Sequence, residues 1–214
     1  MAHVSRKEIL QDFRTRSLLE ATRKIIAAEG FDAVTMERVG SEAGITKGGI
    51  YLYFRNKNQM ILAALEEIAT EMLREIESQV DSKAQSWTRL CQVVRAQMES
   101  MERHKDLLRT LLLVRWLLSD QRERKKWRRL LQYRERHLNR LKAILDDGVR
   151  QKTFYPMDTA RGAFYINEMM ISTALRRMVD LSQLPLTKET EGLIQFLALL
   201  LRDKKHFQKS EEKT

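Results

Sequence analysis

Apolar residues recur along this chain at three- and four-residue spacing, almost from end to end, which predicts a succession of amphipathic helices. Ser5 and Glu8 have the spacing of a capping box. Behind them Leu18, Ala21, Ile25 and Ala28 share a face until Gly30 ends the first helix, and Phe31 is expected to pack under the next two helices. Met36, Val39 and Ala43 mark a second helix from about Thr35 to Ala43, with Thr35 as its cap. Gly44 permits a turn. Thr46 then caps a third helix, Lys47 to about Tyr53, whose Ile50 and Phe54 face inward. Asn56 and Gln59 repeat the capping pattern and start a long helix to about Val80, carrying Ile61, Leu65, Ile68, Met72 and Ile76 on one side.

The pattern continues beyond a polar turn at 81–86. Trp87, Leu90, Val94, Met98 and Met101 define a fifth helix, and 105–118 is apolar nearly all round, as a central helix would be. After a break near Ser119 and Asp120 comes a basic helix with an apolar seam of Trp127, Leu131, Leu138, Leu141 and Leu145, and Gly148 near its end. Pro156 and Asp158 start another helix to about Leu181; the final helix runs from about Lys188 to His206. The expected fold is all-α. A three-helix N-terminal domain (1–55) is joined by a long helix to a helical domain (56–207), and 208–214 form a flexible tail.

The stretch from Thr35 to Lys57 carries the clearest chemistry. Helix, glycine-containing turn and helix make a helix-turn-helix, whose second helix enters the DNA major groove. Gly48 and Gly49 cost about 1 kcal/mol each in helix propensity against Ala, but let a backbone approach another surface closely. Lys47 adds charge beside them. Tyr51 and Tyr53 present hydroxyls to phosphates or base edges, and the Thr35 and Thr46 hydroxyls suit phosphate.

AGITKGGIYLYFRNKNQM closely resembles the recognition-helix signature of the TetR family of bacterial transcriptional regulators, through Ala43, Gly44, Ile45, Thr46, Lys47, Gly48, Gly49, Ile50, Tyr51, Tyr53, Phe54 and Lys57. The strong resemblance covers about the first third of the chain. Gly49 and Leu52 depart from the usual pattern, and both reduce the side chains available to read bases. The resemblance implies a ligand-responsive regulator, a repressor by expectation, with a C-terminal part that binds a small effector and forms a homodimer through residues 158–206. On double-stranded operator DNA, Thr35, Thr46, Tyr51, Tyr53 and Lys57 would hold phosphates while Lys47, Gly48 and Gly49 approach bases.

Composition bounds the alternatives. The chain has 214 residues and a formal net charge of +10. Residues 1–60 hold ten basic against seven acidic residues, whereas 121–142 hold ten against two, so most of the excess lies outside the helix-turn-helix. That distribution admits a second reading: a helical module whose basic helix 121–142 engages an anionic membrane surface or an acidic protein. A single cysteine, Cys91, excludes an internal disulfide and suits a reducing cytoplasm. The apolar runs are too short to span a bilayer.

Two arginines fall on apolar faces: Arg115 among Leu107, Leu108, Leu111 and Leu112, and Arg134 between Trp127 and Leu138. Each either satisfies itself, by an internal ion pair, for example with Glu99 or Glu168, or by a stem that snorkels outward, or awaits an anionic ligand group. In the second case Trp87, Cys91, Met98, Trp116, Tyr133, Asn167 and Met170 line the cavity with Arg115 and Arg134. A fatty acid or acyl-CoA fits such a site, and the RERKKWRR run either meets its phosphates or, the more ordinary reading, is a solvated basic face. His3, His104, His137 and His206 have no metal-ligand spacing. GITKGG lacks the full phosphate-loop pattern. The chain is therefore read as a non-enzyme without metal or cofactor.

Overall fold

The computed structural model describes residues 5–105, 128–179 and 182–202. Among them the helices are α1 (Arg6–Glu29), α2 (Met36–Glu42), α3 (Lys47–Ile50), α4 (Lys57–Gln79), α5 (Ser86–Arg103), α6 (Arg128–Arg150), α7 (Thr159–Met178) and α8 (Leu186–Leu201), with a 3-10 turn at Phe31–Ala33. The chain divides into two compact units, and the division falls inside α4. The predicted central helix 105–118 and the first part of the basic helix lie outside the described residues.

In the first unit, residues up to Ala69 build the core. The Ser5 hydroxyl accepts the Glu8 amide at 3.2 Å, and the Glu8 carboxylate accepts the Ser5 amide at 2.7 Å. This reciprocal pair satisfies two amides that a helix start otherwise leaves unpaired. Leu18, Ala21 and Ile25 are buried as their spacing predicts, whereas Ala28 is exposed. Met36 and Val39 of α2, Ile50 of α3, Phe54, and Met60, Ile61, Leu65 and Ile68 of α4 are buried in the same unit. At the start of α4 the Asn56 side chain accepts the Gln59 amide at 2.9 Å, but the Gln59 side chain accepts from Arg55, one residue earlier than a capping box requires.

In the second unit, Ile76 of α4, Leu90, Val94 and Met98 of α5, Leu141 and Leu145 of α6, Ile166 and Met170 of α7, and Leu197 of α8 form one buried cluster. Asp158 caps α7 by accepting the Ala160 and Arg161 amides, both at 3.1 Å. Ion pairs tie the rims: Arg89 to Asp147 at 2.7 Å, Arg177 to Glu102 at 3.1 Å, and Arg95 to Glu191 at 2.9 Å. Beyond α6 the chain reverses at Lys152, which adopts φ 57. Phe154 then lands on Gly148, and a Cβ at Gly148 would lie 2.0 Å from its ring. The Tyr155 amide donates to the Leu201 carbonyl at 2.9 Å, which fastens this reversal to the end of α8.

The seam of α6 differs from the predicted one. Leu131 is 43% exposed and Leu138 half-buried, while His137, Leu141, Ile144, Leu145 and Gly148 face inward. A histidine thus takes a place that the sequence assigns to leucine. Neither ring nitrogen of His137 has a hydrogen-bond partner among the described residues. Burial, assisted by the charge on Arg140, pushes the imidazole down to about 4.

Gly148→Ala should cost roughly 1–3 kcal/mol, read by urea denaturation, because the Phe154 ring leaves no room for a methyl group. The unfolded His137 imidazole binds a proton near its ordinary value of 6.5, which the folded one declines down to about 4. Stability should therefore decline as pH falls from about 6.5 towards 4, and His137→Phe should remove that part of the slope between pH 7.5 and 5.5.

Candidate nucleic-acid interface

The interface begins with a backbone contact. The Ile45 amide donates to the Gly40 carbonyl at 2.8 Å, folding the chain back on α2. A Cβ on Gly40 would stand 2.8 Å from the Ile45 carbonyl oxygen, so only glycine admits this approach without a shift of backbone. Gly44 supplies the turn with φ +66, a left-handed conformation that favours glycine. Periodicity gave no warning of Gly40, which sits inside a helix. Only its smallness beside the turn hinted at it.

Both threonines take the predicted capping positions. The Thr35 hydroxyl accepts the Arg38 amide and the Thr46 hydroxyl accepts the Gly49 amide, each at 3.2 Å. A hydroxyl that accepts a bond keeps its own hydrogen to donate, and both threonines are exposed. Each can therefore serve the helix and an oxyanion at once.

The helix after the turn is shorter than its predicted span to Tyr53. It ends at Ile50, and Tyr51–Tyr53 continue as turns. Leu52 donates to Gly49 at 3.2 Å and Tyr53 to Ile50 at 3.0 Å, the tighter three-residue bonding common at helix ends. The adjacent glycines add little helical propensity to resist it. They differ in environment. A Cβ on Gly49 would meet Ile45 and the Thr46 hydroxyl, each at 3.1 Å, whereas a Cβ on Gly48 would meet nothing within 4 Å.

The remaining side chains surround that open position. Tyr51 is 49% exposed, Leu52 79%, and Tyr53 half-buried. The Lys47 ammonium pairs with Glu37 of α2 at 2.7 Å. Their shared hydrogen bond raises the lysine above its ordinary value and lowers the carboxylate. Glu37 is the polar residue here that sequence reasoning missed. Its place ten residues ahead of Lys47 fits no short-range pairing rule, since the turn brings the two together. Lys57 lies over the Phe31 ring at 5.3 Å from its centroid, so Phe31 supports the predicted phosphate contact from below.

The predicted effector residues divide. Cys91, Met98 and Met170 join the buried cluster, and Trp87 packs against it, edge-on to Phe154 at 6.4 Å. Burial pushes the Cys91 thiol up to about 11, which suits an inert core residue. Asn167 is buried, and its side-chain oxygen accepts from Gln97 at 3.4 Å. Tyr133 is half-buried with the Arg136 guanidinium 5.7 Å from its ring. Arg134 lies off the apolar seam: it is 45% exposed, pairs with Glu168 at 3.0 Å and lies over Phe164 at 5.6 Å. Of its expected fates the structure displays the ion pair, with the head towards solvent, because Glu168 lies within its reach. Arg115 and Trp116 lie outside the described residues. No described helix is long and apolar enough to cross a membrane, and no group of three or more His, Cys, Asp or Glu among the described residues is placed to hold a metal ion.

Comparison with known proteins places this geometry. Residues 18–64 match the family model described as bacterial regulatory proteins, tetR family. The HTH-type transcriptional repressor AcnR of Corynebacterium efficiens is 25% identical over 187 residues, spanning 86% of this chain and 89% of AcnR. Among solved structures, the transcriptional regulator FadR from Bacillus subtilis in complex with stearoyl-CoA superposes with TM-score 0.69 at 19% identity, covering 85% of this chain and 96% of FadR. AibR in complex with isovaleryl coenzyme A and operator DNA gives TM-score 0.66 at 19% identity over 87% and 97%.

The glycines should respond oppositely to alanine. Gly40→Ala should lower stability, because backbone must move. Gly48→Ala should leave it unchanged or raise it by up to about 1 kcal/mol. Thermal unfolding of the two variants checks the contrast.

Proposed function

The chain belongs to the TetR family of bacterial regulatory proteins through residues 18–64, and from that premise we propose that it is a repressor that binds a palindromic operator as a homodimer and leaves it on binding a small apolar or amphipathic effector. The observation that carries this reading is Gly48. No described residue occupies the space beside it, yet it forgoes helix propensity at an exposed position. Close approach by an external partner accounts for that choice. Thr46 and Lys47, which precede it, and Thr35 and Tyr51 of the same helix-turn-helix segment are exposed as well.

In this reading Thr35, Thr46, Tyr51, Tyr53 and Lys57 hold phosphates and set orientation, while Lys47, Gly48 and Gly49 come nearest the bases. Glu37 restrains Lys47 in the free protein and must yield it, or redirect it, on DNA. Exposed Phe164 and Tyr165 of α7 and Phe196, Leu199 and Leu200 of α8 offer apolar surface for pairing with a second copy. The effector site belongs to residues 56–207, and Trp87, Cys91, Met98, Asn167 and Met170 are its proposed described contributors. Regulators of similar fold bind acyl-CoA compounds in the complexes compared above, so an acyl compound is a reasonable first effector class. An effector shifts operator affinity only by binding the DNA-competent and incompetent conformers differently.

Selection of the full-length protein on random duplex DNA at two salt concentrations tests the proposal. An enriched palindrome supports it. Only salt-sensitive, sequence-independent binding rejects it, and would turn attention to the basic helix 121–142 and anionic vesicles. On the selected site, Tyr51→Ala and Lys57→Ala should each weaken binding to cognate and unrelated DNA alike. Gly48→Ala should weaken the cognate site most. Glu37→Gln should strengthen DNA binding in general, since it removes a carboxylate from the phosphate-facing side. Fluorescence anisotropy over a salt series separates these effects.

A further inference from the structure

The apolar core of the second unit is crossed by one polar layer. Gln97 of α5 is 3% exposed, His137 of α6 7% and Asn167 of α7 4%. Contacts on either side fix their level. Helices α5 and α6 run antiparallel, since Ser86 donates to Gln151 at 3.1 Å and Arg89 to Asp147 at 2.7 Å. From the Arg89–Asp147 contact, Gln97 lies about 12 Å along α5 and His137 about 15 Å back along α6, at 1.5 Å per residue. Helix α7 starts beside α6, where Thr159 donates to Asp146 at 2.5 Å. From there Asn167 is about 12 Å along α7 and His137 about 13 Å back along α6. Gln97 itself donates to Asn167 at 3.4 Å. Three buried polar side chains from three helices thus share a level, within a cluster that includes Met98, Leu141 and Met170.

Their hydrogen bonding is incomplete. The Gln97 side-chain oxygen and both His137 ring nitrogens are buried without a partner among the described residues. Such groups lose their water on folding and regain nothing, so native cores seldom retain them without a use. Arg140, one turn from His137, gives Nη2 to Glu77 at 2.5 Å, which pairs its charge, while its Nη1 is buried without a partner among the described residues and adds a further donor. The imidazole, held neutral by burial, supplies one donor and one acceptor, and Gln97 supplies a second acceptor. Neither the imidazole nor Gln97 compensates a ligand's negative charge, and the charges of Arg140 and Arg134 are already paired with Glu77 and Glu168.

We infer that Gln97, His137 and Asn167 recognise the uncharged polar head, a primary amide or a similar donor-and-acceptor group, of an otherwise apolar effector. The inference rests on the reading of the second unit as the effector-binding part of a regulator, and names the chemistry that part selects. A primary amide satisfies the layer: its carbonyl accepts from the imidazole N–H, and its amino group donates to the Gln97 oxygen. The hydrocarbon tail then lies among methionine and leucine side chains, which adapt to its shape.

The test uses the full-length protein with decanamide and decanoate as probes, followed by calorimetry and by nitrogen spectra of 15N-histidine-labelled protein. Decanamide should bind and move the imidazole signals that vanish in His137→Phe. Gln97→Met and His137→Phe should each bind it about tenfold more weakly or worse, while unfolding at temperatures no lower than the parent, because an unpaired buried polar group has been replaced by an apolar one of similar size. Absence of decanamide binding, binding that leaves the His137 signals unmoved, or tighter binding of decanoate would each overturn the inference. So would a His137→Phe variant that unfolds earlier yet keeps decanamide affinity, the mark of a water-bridged structural group. Release of a selected operator by decanoate would sink this inference while leaving the regulator reading intact. Failure to select any DNA site would strike the regulator reading, and decanamide binding would still decide the chemistry of the polar layer.

Discussion

The DNA-facing end of this molecule depends on one backbone contact, the Ile45 amide donating to the Gly40 carbonyl across a space too narrow for a methyl group. That contact sets the direction in which the chain leaves α2. Direction then decides everything downstream: Thr46 reaches its capping position, Ile50 enters the core, and Lys47 meets Glu37. Hydrophobic burial supplies the stability of the unit but is nearly indifferent to orientation. Hydrogen-bond geometry and steric exclusion at Gly40 provide the orientation that burial lacks.

The two units use polarity in opposite ways. In the first, Thr35, Thr46, Lys47 and Tyr51 remain at the surface, available to a partner, and the buried Thr22 hydroxyl is satisfied by donating to the Leu18 carbonyl. In the second, rim ion pairs such as Arg89–Asp147 and Arg177–Glu102 enclose an apolar cluster, and the unsatisfied polar atoms of Gln97 and His137 lie inside. Exposed charge favours a highly charged partner reached through water. Buried neutral polarity favours a small ligand that leaves water altogether. The proposed DNA site and the proposed effector site place these two demands on different parts of one chain.

Local chemistry was mostly legible where the deciding partner lay within about four residues, although the Gln59 side chain takes the Arg55 amide and not that of Asn56. The Ser5–Glu8 pair, the Thr35, Thr46 and Asp158 caps and the αL turn at Gly44 all follow from side-chain reach and backbone preference. So do the buried faces of α4 and α5, because a helix places residues three and four apart on one side whatever it packs against. The helix-turn-helix segment was legible too, since the glycine turn and the caps on either side of it carry the motif. The helical span to Tyr53 was not, because glycines at 48 and 49 leave the decision between a regular helix and a tighter turn to weak terms.

Amino-acid order alone determined the helical character, the caps, the glycine-dependent turn and the place of the helix-turn-helix segment, because each rests on interactions between near neighbours. The tertiary structure decided which apolar-looking position of α6 is buried, placing His137 inside and Leu131 and Arg134 towards solvent. It also decided that Glu37 holds Lys47, that Phe31 supports Lys57, and that Gln97 meets Asn167. The physical reason is common to these cases. A helix's own pattern fixes its possible inner face only to within part of a turn, and the neighbouring helices select the rotation that fills space and leaves charges solvated or paired.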